Sequence, residues 1–170
     1  MVPGMGAADF VLPRIDGSYA DGRRPDSVSV GTLADDLARR DFTMNAISID
    51  ENGDYIDPYN GRDDIANRLI RCVGVAHDRF HEDALRLLRA IRFSITKGFG
   101  FHLDVHKCLM DVSLAERLAS NVTEERKREE LHRCFAADTP ETLNLLRQYP
   151  LICDAVFRGK MWLKPTMEDA

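Results

Sequence analysis

The stretch that most limits what this chain can become is EDALRLLRAIRFSI, residues 82–95. On a helix, at about 100° per residue, Ala84, Leu87, Leu88, Ile91 and Ile95 gather on one face. That face needs a core to cover it. Arg86, Arg89 and Arg92 form a stripe on the other side, with Glu82 beside them and Asp83 at its margin. Leu85 and Phe93 also lie in the stripe, a hint of a cleft lining, although charge runs are mostly solvated and this segment alone weighs toward that reading. The alternative is a wet face stiffened by the Glu82–Arg86 pair at i,i+4.

The stripe has specific chemistry. Guanidiniums at i, i+3 and i+6 rise about 4.5 Å per step and span roughly 9 Å along the helix. That suits a polyphosphate or a nucleotide, and arginine has the matching fork geometry. Asp83 and Arg86, at i,i+3, could face one ligand together, one accepting and one donating. Cytosine and adenine each offer an amino donor beside ring acceptors. Uracil and guanine place an acceptor where Asp83 would need a donor.

The whole chain sets outer limits. Its 170 residues suffice for one domain or two small ones, and 44% hydrophobic content supports a core. The net charge of −5 means that a nucleic-acid partner would need a local basic patch. No apolar run approaches the length of a membrane span and no signal-peptide pattern is present, so the chain is expected to be soluble and cytoplasmic, with no membrane partner. Cys72, Cys108, Cys134 and Cys153 lie far apart with no C-x-x-C pair. They are expected as buried, inert thiols rather than a zinc site or a disulfide framework.

Along the chain, the first half mixes strands and helices. Strands are expected at ADFVLPRI and SVSV, joined by the turn-rich DGSYADGRRPD, followed by a helix over TLADDLARR opened by Thr32 and Asp35. Residues 45–50 and YIDPY read as a hairpin around Asn52-Gly53. GRDDIANR reads as a helix and LIRCVGV as a strand. From about residue 80 the pattern is helix after helix. Asp104, Ser113 and Thr139 are the expected caps of three of these helices, Ser113 with Glu116 as a capping box and Thr139 with Pro140 at the first helical position. The fold class is α+β, with a head over 1–75, a helical neck over 76–150 and a tail over 151–170.

A second stretch, LARRDFTMNAISID, sets Arg39, Arg40 and Asp41 directly before an apolar run. ARRDFTMNAISID, IDPYNGRDDI and RFHEDALRLLRAIRF, in that order, resemble three motifs of the class II tRNA nucleotidyltransferases. These are the CCA-adding enzymes and the related bacterial poly(A) polymerases. The resemblance runs from about residue 8 to about Leu146 and includes YADGRRPDSVSV. It implies a mixed-sheet nucleotidyltransferase head followed by an all-helical neck. It implies that Asp83 and Arg86 read the incoming base, that Arg40, Arg89 and Arg92 contact the nucleotide, and that Asp41 lies near the ribose and the templating arginine. Asn45 and Glu82 belong to the same motifs. Asp57 and Gly61, in the DP-x-x-G turn, are expected to be structural or a hinge.

The resemblance also implies magnesium with ATP or CTP, and an RNA partner, most naturally a tRNA 3′ end. The family's catalytic motif is a Gly-Gly turn followed by an Asp-x-Asp pair that holds two metal ions. This sequence contains neither. No catalytic residue and no metal ligand is therefore expected in the chain. It would be one subunit of a split enzyme, a truncated product, or a non-catalytic nucleotide- and RNA-binding remnant, with an exposed sheet edge open to self-association or to a second chain carrying the metal motif. Arg126, Lys127, Arg128 and Arg133 could touch RNA phosphates, although Glu124, Glu125, Glu129 and Glu130 interleave with them as in a solvated, salt-bridged helix. An HD-type metal phosphohydrolase is a rival on the His77-Asp78 dipeptide and the i,i+4 pairs His77/His81 and His102/His106. It would need a further histidine upstream of His77, and there is none.

Overall fold

The computed structural model describes residues 13–16 and 28–158. Residues 8–12 of the expected first strand, the turn-rich segment up to residue 26, most of YADGRRPDSVSV, and residues 159–170 of the expected tail lie outside the described residues.

Strands β1 (Arg14–Asp16) and β2 (Val28–Val30) pair antiparallel, with Ile15 opposite Ser29. Helix α1 (Leu33–Ala38) opens on the expected capping box: the Thr32 hydroxyl accepts from the Asp35 N–H, and the Asp35 carboxylate accepts from the Thr32 N–H at 2.8 Å. The strand expected over 45–50 is shorter than the pattern suggests. Thr43–Asn45 is a 3-10 turn, and only β3 (Ser48–Ile49) pairs, antiparallel, with β4 (Tyr55–Ile56). The hairpin turn is tied by Asp50, whose carboxylate accepts from the N–H groups of Asn52 and Asp54, both at 2.9 Å. Gly53 supplies the positive φ of 88° that the turn requires.

Helix α2 (Gly61–Ala66) leads into β5 (Leu69–Ile70). The partner of β5 is β6 (Gly100–Phe101), parallel and far along the chain. Between them run α3 (Ala76–Glu82) and α4 (Leu85–Lys97), the latter ended by Gly98 at φ 67°. The remaining helices are α5 (Leu103–Leu109), α6 (Val112–Asn121), α7 (Glu124–Ala137), α8 (Thr139–Gln148) and α9 (Pro150–Phe157). Their caps correct the expected ones. His102 caps α5 with Asp104 in its first turn, Asp111 caps α6 by accepting from the Leu114 N–H, and Asp138 caps α8 ahead of Thr139 and Pro140. In α6 and α8 the helix starts one or two residues earlier than expected, at an Asp whose carboxylate accepts from the Leu114 or Glu141 N–H. The start of the expected tail is helix α9, which packs on α6 and contributes the buried Ile152 and Val156 to the core.

One core joins both halves. Phe42, Ile70 and Cys72 cluster with Leu87, Leu88 and Ile91 of α4, with Leu109, Leu114 and Leu118, and with Tyr149 and Ile152. The predicted apolar face of α4 is therefore covered, Ile95 only partly. Full burial of each such side chain stabilises by about 1.5–3 kcal/mol. All four cysteines are buried, as expected. Burial pushes the Cys72 and Cys134 thiols up to about 12 and Cys108 to about 11.

Candidate nucleotide cleft

The helix expected over 82–95 is broken at its most informative residue. Asp83 has extended backbone, φ −143° and ψ 101°, and ends α3 instead of riding on α4. Its Oδ1 accepts from the Leu85 N–H at 3.1 Å. A short carboxylate can compete in this way with the helix's own hydrogen bonds. The break turns Asp83 into a cleft of about 540 Å³, bounded by residues 39–45, by the start of α4 and by α7.

Arg39, Arg40 and Asp41 form one wall. Both arginines turn back onto Asp36 of α1: Arg39 through Nε at 3.0 Å, Arg40 through Nη2 at 3.0 Å. Burial alone would raise the Asp36 carboxyl, but hydrogen bonds from Arg39 and Arg40 outweigh it and hold the group below the usual range. Arg40 Nη1 also donates to the Asn45 carbonyl at 2.7 Å. Asp41 is buried. Its Oδ1 accepts from the Phe42 N–H at 2.8 Å and from Asn45 Nδ2 at 2.9 Å, and its Oδ2 takes Arg89 through Nη2 at 2.6 Å and Nε at 2.8 Å. Phe42 meanwhile enters the core edge-on to Phe93, 5.8 Å between ring centres. Charges stand before an apolar run because the chain passes from cleft wall to core within two residues.

The opposite side carries Asp83, Arg86, Arg89 and Arg126. Arg86 is nearly buried. Its Nη1 donates to Glu82 at 2.8 Å and to the Arg79 carbonyl at 2.9 Å, and its Nη2 donates to the Arg39 carbonyl at 3.3 Å. Glu82 also accepts from Arg79 Nη1 at 2.9 Å. Asp83 and Arg86 thus line one cleft, joined by the backbone bond from the Arg86 N–H to the Asp83 carbonyl at 3.0 Å rather than through their side chains. Arg92 does not line it. One turn further along α4, it donates to Glu130 of α7 at 2.6 Å and lies over the Phe93 ring, 4.1 Å from the centre. The three arginines are a stripe in sequence, but only Arg86 and Arg89 reach the cleft.

Asp57, three residues before the N-cap Asn60, ties the start of α2, accepting from the Gly61 N–H at 2.7 Å and from the Arg62 N–H at 2.9 Å. A Cβ on Gly61 would stand 2.1 Å from the Thr43 carbonyl oxygen, so close packing requires glycine there. The basic cluster on α7 does not face one way. Arg126 points into the cleft, where it grips Asp83 at 2.7 Å. Lys127 corrects the phosphate-contact expectation: it is buried and donates to the Ala119 carbonyl at 2.9 Å and to Glu124 at 3.1 Å. Arg128 is exposed, and Arg133 pairs with Glu129 on the solvent side. The histidines divide as well. The His77 and His81 rings stack, whereas His102 meets Arg71 at 2.9 Å and His106 meets the Tyr149 hydroxyl at 2.8 Å.

Sequence reasoning found one partner, Glu82 for Arg86 at i,i+4, and missed the others. Asp36 carried a usable signal, since it lies three and four residues before Arg39 and Arg40 on one helical turn. The Asp83–Arg126 and Arg92–Glu130 pairs join residues 43 and 38 positions apart and gave no local signal.

Residues 7–71 match the poly A polymerase head domain. The CCA-adding enzyme of Geobacillus thermodenitrificans is 47% identical over 137 residues, which are 79% of this chain and 33% of that enzyme. The Lactiplantibacillus plantarum CCA-adding enzyme is 37% identical over 91% of the chain and 41% of its own length. The chain spans about a third of the length of the first curated relatives it matches. Among solved structures, the Bacillus stearothermophilus CCA-adding enzyme in complex with CTP superposes with a TM-score of 0.69 at 38% identity, over 82% of this chain and 33% of that one. A tRNA nucleotidyltransferase complexed with a primer tRNA and an incoming ATP analog gives 0.71 at 29% identity, over 81% of this chain and 41% of that one. The fold is accordingly a nucleotidyltransferase head joined to a helical neck, similar to the corresponding part of the CCA-adding enzymes.

Proposed function

We propose that this chain is the nucleotide-selecting part of an RNA 3′-end nucleotidyltransferase that adds C or A, with the cleft holding CTP or ATP and a tRNA 3′ end as the acceptor. The observation that carries this reading is the placement of Asp83 and Arg86 side by side in one cleft, each with hydrogen-bonding capacity left over. Arg86 uses Nη1 and one direction of Nη2 on the protein. Asp83 uses its Oδ1 on Leu85 and shares Oδ2 with Arg126. A cytosine or adenine edge, amino donor toward Asp83 and ring acceptor toward Arg86, fits what is left. Arg40, Asp41 and Arg89 line the same cleft and would take the sugar and phosphates. The Arg89–Asp41 pair would open or share its donors when a phosphate arrives. In this reading Asn45 and Glu82 orient Asp41 and Arg86, and Asp57 with Gly61 fixes the turn behind the wall.

The family's magnesium does not fit these residues. Asp41 is engaged by Arg89 and Asp83 by Arg126, and no three His, Cys, Asp or Glu side chains converge among the described residues. What the cleft can do is select and orient, which lowers the barrier by fixing geometry before reaction. No helix among the described residues is long and apolar enough to cross a membrane.

Equilibrium dialysis with labelled CTP and ATP tests the reading. Arg86→Ala should weaken both by about 10- to 100-fold, the scale of a charged hydrogen bond lost in a partly buried site. Unchanged affinity would remove Arg86 from the base-reading role.

A further inference from the structure

We propose that Arg126 is a specificity-determining positioning residue, whose guanidinium holds the Asp83 carboxylate in the orientation that accepts from an amino-bearing base edge. The inference rests on the Asp83/Arg86 reading above and adds to it a residue from a different helix.

Asp83 sits at the junction of α3 and α4, its backbone tied to the Arg79 carbonyl and the Arg86 N–H, so that what remains to be fixed is the orientation of its carboxylate. Its own chain supplies one tether, the Leu85 N–H at 3.1 Å to Oδ1. With that tether alone the carboxylate could rotate and present either oxygen. Arg126 supplies the second tether: Nη2 donates to Oδ2 at 2.7 Å and Nη1 reaches Oδ1 at 3.4 Å. A forked guanidinium fixes the plane of a carboxylate as well as its position. Each carboxylate oxygen has two lone-pair directions, so the two tethers leave acceptor capacity on the side of the cleft that both residues line. Arg126 is thereby committed, its side chain 23% exposed and its partner 16%.

A second contact shows that α7 is keyed to α4 along this edge. Glu130, one turn beyond Arg126 on the same face, is buried, accepts from Arg92 at 2.6 Å and stands 3.9 Å from Arg89. Helix α7 therefore presents a cation to the carboxylate before α4 and a carboxylate to the arginines on α4. A shift of α7 would turn Asp83 and loosen Arg89 together.

The test compares Kd values for CTP, UTP, ATP and GTP by calorimetry on the wild-type chain, Arg126→Ala and Arg126→Lys, with near-UV circular dichroism to confirm native packing. Wild type should prefer CTP over UTP and ATP over GTP. Arg126→Ala should reduce both preferences by about tenfold, the scale of one charge-assisted hydrogen bond. Arg126→Lys, which keeps the charge but not the fork, should fall between and covers the case in which the alanine variant does not fold. A uniform loss for all nucleotides, with the preferences intact, would show a phosphate contact or a general structural role and overturn the proposal. Absence of any preference in wild type would instead overturn the base-reading assignment on which the proposal stands.

Discussion

Helices α4 and α7 are both rich in charge and pack against each other, yet they use charge differently. On α4 the division is clean: Leu87, Leu88 and Ile91 enter the core, and Arg86, Arg89 and Arg92 each bind a carboxylate. On α7 the run ERKREE is dealt out residue by residue. Arg126 and Glu130 face α4, Lys127 is buried, and Arg128 and Glu129 are exposed. A helix sorts neighbouring residues by about 100° each, so a charge run is never one surface. What a charge does depends on the element opposite it.

The difference between buried and solvated charge on α7 can be broken at Glu130. Glu130→Ala leaves Arg92 without its carboxylate in a nearly closed site and should cost about 3–5 kcal/mol, read from the urea midpoint. On the apolar face of α4, Leu88→Ala should cost about 2–5 kcal/mol by the same measurement, with CTP affinity changed little in the fraction that remains folded. Arg133→Ala, which removes an exposed i,i+4 pair with Glu129, should move stability by no more than about 0.5 kcal/mol. If Glu130→Ala and Arg133→Ala cost the same, the distinction between the two sides of α7 fails. A smaller reading comes from the thiols. With Cys72 and Cys134 pushed up to about 12, neither should react with iodoacetamide at pH 8 in the folded chain, and both should react in urea.

Local features were legible in the sequence. The capping box of α1, the Asn52-Gly53 turn and the apolar face of α4 depend on residues within a few positions of one another, and each stands as expected. The cleft was legible in its members but not in its wiring. Arg86 and Asp83 were recognisable from the motif and Glu82 as a partner of Arg86 from its spacing, whereas their other partners come from the Arg79 and Arg39 carbonyls, from the helix break and from α7. The parallel pairing of β5 with β6 was not legible, because two-residue strands 31 positions apart carry no period. The same wiring changes how the base-reading pair should be probed. Exchanging Asp83 and Arg86 looks clean from the sequence alone. In the structure it would set an arginine against Arg126 and an aspartate against Glu82, so loss of folding and altered selection would be confounded.

The most direct test leaves the chain unaltered. Wild-type protein titrated separately with CTP, ATP, UTP and GTP at one ionic strength should bind the first two, with UTP and GTP weaker by at least about tenfold, because an acceptor on the base would face the Asp83 carboxylate. Equal affinity for CTP, ATP, UTP and GTP would mean that the cleft holds only sugar and phosphate, and would contradict the assignment of Asp83 and Arg86.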